Sequence, residues 1–245
     1  MKAITEGNYI AAFTDGSSYI SKDQKYYEAS SAVVIIINDK EVCRLGCFHK
    51  NGTNSIGEVY ALMLAIEKVE ELKRDNPELN DYFTFYVSDS RYVVQSANEW
   101  VYAWEKLNRN SDIWKSSSGN PVAYQFVWKY LFEKYFTKQS WLNDNMIIHM
   151  NGHITGKKLI ESYKKAFKRN SNQTWAKQRA ITLDAFKWMV DMNNIVDHLA
   201  EMIRTEKLYY FEKGSEDSKW VKRKRNIPTR NQRWIIRSRK NESKI

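Results

Sequence analysis

The chain has 245 residues, 42% hydrophobic and 14% aromatic, which is enough to bury a sizeable core and excludes a wholly disordered polymer. It contains no run of 18 uninterrupted apolar residues, which argues against a membrane-spanning helix. The net charge of +10 is confined: residues 219–245 carry 11 Lys/Arg against the single acid Glu242, while residues 1–218 balance 28 bases with 28 acids.

Within the balanced part, residues 154–190 carry nine Lys/Arg and only Glu161 and Asp184. Basic segments are thus added to a body that is not basic, and such segments attract a polyanion by counterion release without sequence preference. Taken alone, either run could equally be a solvated surface.

In chain order, residues 9–14 read as a first strand, and residues 31–37 and 41–48 read as a hairpin turning at Asn38-Asp39-Lys40. Cys43 and Cys47 share one face of the second hairpin strand but lie too far apart for a disulfide, so they read as ordinary strand residues. Val59, Leu62, Met63, Ile66, Val69 and Leu72 recur at three and four, predicting an amphipathic helix over 55–74 that ends before Pro77. Residues 82–87 form a buried strand, whose parallel return beside the first would bring Asp15 and Asp89 to neighbouring strand ends.

Ser88-Asp89-Ser90 offers N-cap residues for one or two short helices over 91–106, followed by a polar loop from Asn108 to Asn120. Pro121 is placed as the first residue of a helix reaching Lys138, and 146–149 as a last short strand. Two basic helices, 157–168 and 174–190, then precede a final helix carrying Asp197. The tail, with Lys222-Arg223-Lys224-Arg225 and Pro228, has no clean periodicity and reads as a flexible arm.

Four acids occur where strands end or helices begin: Asp15 in Thr14-Asp15-Gly16-Ser17, Glu58 in Gly57-Glu58-Val59-Tyr60-Ala61, Asp89 between two serines, and Asp197 in Val196-Asp197-His198-Leu199-Ala200. Each has an ordinary explanation by itself, such as a turn, a helix N-terminus, an N-cap or a solvated helix acid. Jointly, with Asn151-Gly152-His153, the order of these motifs resembles ribonuclease H of type 1. Converging carboxylates repel unless a cation resolves them, and Mg²⁺ is a hard ion that takes oxygen ligands.

That resemblance implies an α/β fold with a five-stranded mixed sheet flanked by helices, and a two-metal endonuclease that cuts the RNA strand of RNA/DNA hybrids. The expected ends are 5′-phosphate and 3′-hydroxyl. Its cofactor would be two Mg²⁺ ions, with Mn²⁺ as a substitute. Carried over from the family, Asp15 would bridge both ions, Glu58 and Asp89 would complete one side, and Asp197 would hold the ion that positions the attacking water. His153 would assist proton movement or product release, with His149 as a nearby alternative. Asn193 matches an asparagine that often precedes the family's last aspartate.

Thr53, Asn54 and Ser55 are similar to the segment that holds the DNA backbone and the hybrid's minor groove. Trp100, Trp104, Lys106, Arg109, Trp114 and Lys115 resemble a hybrid-gripping basic protrusion, although Trp100 and Trp104 at helical spacing also fit core packing, and Glu105 and Asp112 dilute the charge.

The chain departs from the family pattern in three places. His153 and Asp197 are 44 positions apart, so residues 154–190 read as a basic helical insertion, a candidate hybrid clamp or lid. The glycine-rich turn usual after the first motif is replaced by residues 19–27. The tail adds Trp220, Trp234, Ile235 and Ile236 among its cations, a composition suited to nucleic acid. The expected division is a catalytic domain over 1–206 and a nucleic-acid-binding arm over 207–245, in a monomer with no membrane contact. An intracellular, cytoplasmic location is expected, or a nuclear one if Lys222–Arg225 serves as a targeting signal. Rival readings are a non-catalytic nucleic-acid-binding module on the same fold and an integrase-like or resolvase-like DNA nuclease.

Overall fold

The computed structural model describes residues 7–20, 27–152, 154, 157–168 and 182–215. The first strand, β1 (Tyr9–Ile20), runs well past the predicted 9–14 and pairs antiparallel with β2 (Tyr27–Ile37) along its whole length. β2 turns into β3 (Lys40–Lys50) through Asn38 and Asp39, both at positive φ. Two consecutive positive-φ residues match the right-handed twist of a tight hairpin, and Asn and Asp tolerate that conformation best after glycine.

Helix α1 (Asn54–Asp75) follows, with Lys73 and Arg74 in its last turn opposing the negative end of the helix dipole. Asn76 closes it by donating its side-chain amide to the Leu72 carbonyl at 3.0 Å, and Pro77 forbids continuation. A short 3-10 turn (Pro77–Asp81) leads to β4 (Phe83–Ser88), which lies parallel to β1 in the register Thr14↔Ser88. The expected apposition of Asp15 and Asp89, one residue beyond that pair, is therefore met.

Helices α2 (Arg91–Gln95) and α3 (Val101–Leu107) are joined by a π-turn (Ser96–Trp100). Pro121 does not begin the next helix. It forms an antiparallel bridge with Lys115, and α4 (Gln125–Leu131) starts only after Tyr124, which takes φ 57. A second π-turn (Phe132–Phe136), α5 (Gln139–Asp144) and the edge strand β5 (Asn145–His149) complete this region, with β5 parallel to β4.

Helix α6 (Lys157–Lys168) lies where the first insertion helix was predicted. The second was predicted over 174–190, separate from the helix bearing Asp197; residues 174–181 lie outside the described residues, and from Leu183 onward the two are one helix, α7 (Leu183–Thr205). Its start is fixed by Thr182, whose hydroxyl accepts from the Ala185 N–H at 3.1 Å.

The sheet has six strands rather than five, in the order β5-β4-β1-β2-β3-β6. The sixth, β6 (Phe211–Gly214), pairs antiparallel with β3, so the fold extends beyond residue 206, where a flexible arm was expected to begin. Burial of the Lys68 ammonium explains the anchorage, because Glu212 of β6 meets it at 2.7 Å and Glu71 at 3.1 Å. Residues 216–245, with the basic tail and its tryptophans, lie outside the described residues.

The central strands are buried on both faces, which is why they read as near-continuous apolar runs. Ile10, Ala12, Val33 and Ile35 pack with α1, α3 and α4, whereas Tyr9, Ala11, Phe13, Val34 and Ile36 pack with α7. The result is a three-layer sandwich with α1 on one side and α7 on the other. Among the described residues no helix is long and apolar enough to cross a membrane.

Candidate metal and catalytic site

The sheet brings three of the four predicted acids together. Asp15 sits in β1, Asp89 just beyond β4, and Glu58 in the first turns of α1; each offers a carboxylate oxygen within 4.8 Å of the others. Asp15 and Glu58 are only 4% and 7% exposed. Asp197, half-buried on α7, is not among the oxygens within that radius, but its charge is felt by both Asp15 and Glu58.

Burial lifts the Asp15 carboxyl far above the ordinary carboxylate range, and the charges of Glu58, Asp89 and Asp197 raise it further. The Gly16 N–H, donating to Asp15 Oδ1 at 2.8 Å, is the one counterweight. Glu58 is raised in the same way, first by burial and then by Asp89, against an amide bond from Asn54 Nδ2 at 3.2 Å. Such a pair is poised for a cation, which would hold both groups ionised. A buried Glu58 oxygen, Oε2, has no hydrogen-bond partner among the described residues, and all the donors here are oxygens. That donor set fits Mg²⁺ or Mn²⁺ and not a soft metal.

Neighbouring groups press on the cluster from α7 and from the segment after β5. Asn193, 1% exposed, donates its amide toward Asp89 Oδ2 at 3.5 Å. Gly152 approaches so closely that a Cβ there would lie 2.4 Å from the same oxygen. Sequence reasoning found Asn193 but not the closeness of Gly152, which has no signature beyond lying next to His153. His153 itself is outside the described residues. His149, the alternative histidine, donates from Nε2 to the Asp89 carbonyl oxygen at 3.0 Å. Its pKa is lowered, mainly by burial and also by the charge of Arg91, against the raising pull of that bond and of the Asp89 charge.

The predicted substrate contacts divide. Thr53, Asn54 and Ser55 are exposed at the α1 N-terminus beside Glu58, and the Thr53 hydroxyl meets that of Tyr124. Trp100 is 37% exposed, and Lys106 and Lys115 are exposed. Trp104 and Trp114 instead lie in the core at 8% and 5% exposure, where Trp104 packs against Trp128 and Trp114 against Phe132. The core-packing alternative read for Trp100 and Trp104 thus holds for Trp104, whereas Trp100 stays exposed. On α6, Tyr163 packs against Phe186 of α7 while Lys158 and Lys164 are exposed.

Sequence reasoning missed the groups that hold the cluster from behind. Ser31 of β2, fully buried, donates its hydroxyl to the Gly57 carbonyl at 2.8 Å and lies 2.6 Å from His49 Nε2. Ser30, equally buried, donates to the Ala200 carbonyl of α7 at 2.5 Å. Two neighbouring serines in a strand were a visible signal, since small hydroxyls inside a run of Ala, Val and Ile must find partners.

A family model described as RNase H matches residues 7–202. Ribonuclease H of Treponema denticola is 33% identical over 97 residues, covering 38% of this chain and 58% of that protein. Ribonuclease H of Pseudomonas fluorescens is 36% identical over 85 residues, covering 34% of this chain and 47% of that protein. The chain thus spans about half the length of these relatives. Among solved structures, the foamy viral protease-reverse transcriptase in complex with dsDNA shares the fold at a TM-score of 0.51 and 18% identity, covering 82% of this chain and 94% of that one. With most of its length matched by the family model, the chain belongs to the RNase H family.

Proposed function

We propose that this protein is a metal-dependent ribonuclease H that hydrolyses the RNA strand of RNA/DNA hybrids, leaving 5′-phosphate and 3′-hydroxyl ends. The observation that carries this reading is the trio of buried Asp15 and Glu58 with half-buried Asp89, drawn from three separate elements into one oxygen cluster in which burial and mutual repulsion oppose ionisation of Asp15 and Glu58 until a cation arrives. Asp15, Glu58, Asp89 and Asp197 would hold two Mg²⁺ ions, or Mn²⁺ in their place. When bound, such ions supply an activated water and offset charge on the phosphate and the leaving oxygen.

The protein's own groups do the rest. Asn54 orients Glu58, Asn193 orients Asp89, and the His149 bond to the Asp89 backbone holds the end of β4. His153 is assigned the proton transfer or product-release role. Exposed Thr53, Asn54 and Ser55, next to Glu58, are suited to the hybrid's backbone, where hydroxyl and amide groups position a strand without reading its sequence. Discrimination would rest on 2′-hydroxyls in the strand to be cut. Trp100, Lys106 and Lys115 would contact the hybrid more peripherally, and the basic insertion and tail would grip phosphates. We take the working unit to be a monomer and the compartment to be intracellular.

A substrate panel tests this reading: labelled RNA/DNA hybrid, double-stranded RNA, duplex DNA and a four-way junction, each with and without Mg²⁺. Cutting confined to the RNA of the hybrid and dependent on Mg²⁺ is expected. Preference for the junction or for duplex DNA would make the protein a DNA nuclease, and binding without cutting would make it a binding module.

A further inference from the structure

We propose that Ser30 and Ser31, adjacent residues of β2, are positioning residues that seat the two helix-borne carboxylates, Ser31 for Glu58 and Ser30 for Asp197. The proposal rests on the metal-site reading above and assigns a role to two groups outside the carboxylate set.

Successive residues of a strand point to opposite faces of the sheet. Ser31 accordingly reaches α1, donating to the carbonyl of Gly57, the residue before Glu58, while Ser30 reaches α7, donating to the carbonyl of Ala200, three residues after Asp197. In a regular helix each of those carbonyls already accepts from the N–H four residues on, so the helices need neither serine for their own integrity. What the extra bonds fix is where each helix sits against the sheet. β2 lies beside β1 in the register Asp15↔Ala32 and Gly16↔Ser31, so both helices are referenced to the strand that carries Asp15.

The Ser31 arm is further constrained. A hydroxyl has one hydrogen, and since Ser31 gives it to Gly57, it must accept from His49 Nε2 at 2.6 Å. His49 is itself wedged between the Tyr60 ring of α1, with centroids 4.9 Å apart, and Cys47 Sγ at 3.5 Å. A protonated Nε2 cannot accept the Ser31 hydrogen, which is therefore directed at the Gly57 carbonyl. The approach there is as tight as the backbone allows, because a Cβ on Gly57 would fall 2.4 Å from the Ser30 carbonyl oxygen. Groups that orient metal ligands without touching the metal commonly change affinity or activity by 10–100-fold when lost.

The test uses the full chain and compares wild type, Ser30→Ala and Ser31→Ala by Mn²⁺ calorimetry, thermal melting, and steady-state cleavage of a labelled hybrid. Ser31→Ala is expected to weaken Mn²⁺ binding about tenfold with little change in KM for the hybrid. Ser30→Ala is expected to keep Mn²⁺ binding by the three-acid cluster within about twofold and to lower kcat about tenfold. A purely structural role would lower both melting temperatures and move neither metal affinity nor kcat, and that result would overturn the proposal. If Ser31→Ala does not fold, Ser31→Cys keeps the shape with a weaker donor and carries the same comparison. Wild-type protein that neither binds Mn²⁺ nor cuts would sink the metal-site reading and this proposal together, whereas an active wild type with unaffected variants would sink this proposal alone.

Discussion

The two halves of the candidate site are built differently. On one side, Asp15, Glu58 and Asp89 hang from the sheet and the α1 N-terminus, mutually within 4.8 Å and with raised carboxyl pKa values at Asp15 and Glu58. On the other, Asp197 rides on α7, half-buried and outside that radius, on a helix packed to the opposite sheet face. The first half is assembled by the strand register itself, since Thr14↔Ser88 places Asp15 and Asp89 side by side. The second depends on how one long helix is seated. A site can therefore be strongly preformed for one cation while its last ligand is set by a separate packing decision.

The sharpest way to break this contrast is to neutralise the buried half. Asp15→Asn should weaken divalent-ion binding by more than about a hundredfold, beyond the usual loss from removing an outer partner, as read by Mn²⁺ calorimetry. It should also alter stability without metal. A carboxyl whose folded pKa is raised above its unfolded value stabilises the fold fully below the unfolded pKa, near pH ~4, and loses that contribution as pH rises toward the folded value. Chelated wild-type protein should therefore melt at progressively lower temperature as pH rises above about 4, and Mg²⁺ should reverse the loss. Asp15→Asn should flatten the profile in part, leaving the contribution of Glu58; an equally steep one would show that Asp15 does not govern it.

A second change probes the seam between α1 and the sheet. Gly57→Ala would place a Cβ 2.4 Å from the Ser30 carbonyl, so the helix must shift. Overpacking of this kind costs roughly 1–3 kcal/mol, readable by denaturant melts, and cleavage should fall with it because Glu58 moves. Unchanged stability would mean the seam is looser than its geometry.

The smallest expected effect addresses the other half. Thr182→Ala removes the α7 cap and should cost about 1 kcal/mol, with Mn²⁺ affinity of the three-acid half held within about twofold. A large drop in that affinity would contradict the separateness of the halves.

Much of this was legible in the sequence because it depends on local signals. Asn38-Asp39 between apolar runs marked the hairpin, the three-and-four spacing from Val59 to Leu72 marked α1, and Ser88-Asp89-Ser90 marked the start of α2, where Ser90 is the residue that accepts from the Val93 N–H, at 3.4 Å. What escaped depends on partners distant in the chain. Phe211-Glu212-Lys213-Gly214 has no strand signature of its own and becomes a strand because Lys68 draws Glu212 to the β3 edge. Pro121 fits a helix start, but its bridge to Lys115 won. Trp104 and Trp114 have the composition of a binding surface and the burial of a core. In the site, the acids were visible as motifs, whereas Ser30, Ser31 and Gly152 matter only through contacts the register creates.

The most direct test is cleavage of a hybrid labelled separately on each strand, with Mg²⁺, by wild-type protein and by Asp89→Asn. Asp89 contributes one of the three clustered carboxylates. The account predicts that wild-type protein cuts only the RNA strand, and that the substitution abolishes cutting while leaving the protein folded. Undiminished cutting by Asp89→Asn would contradict the assignment of this cluster as the catalytic metal site.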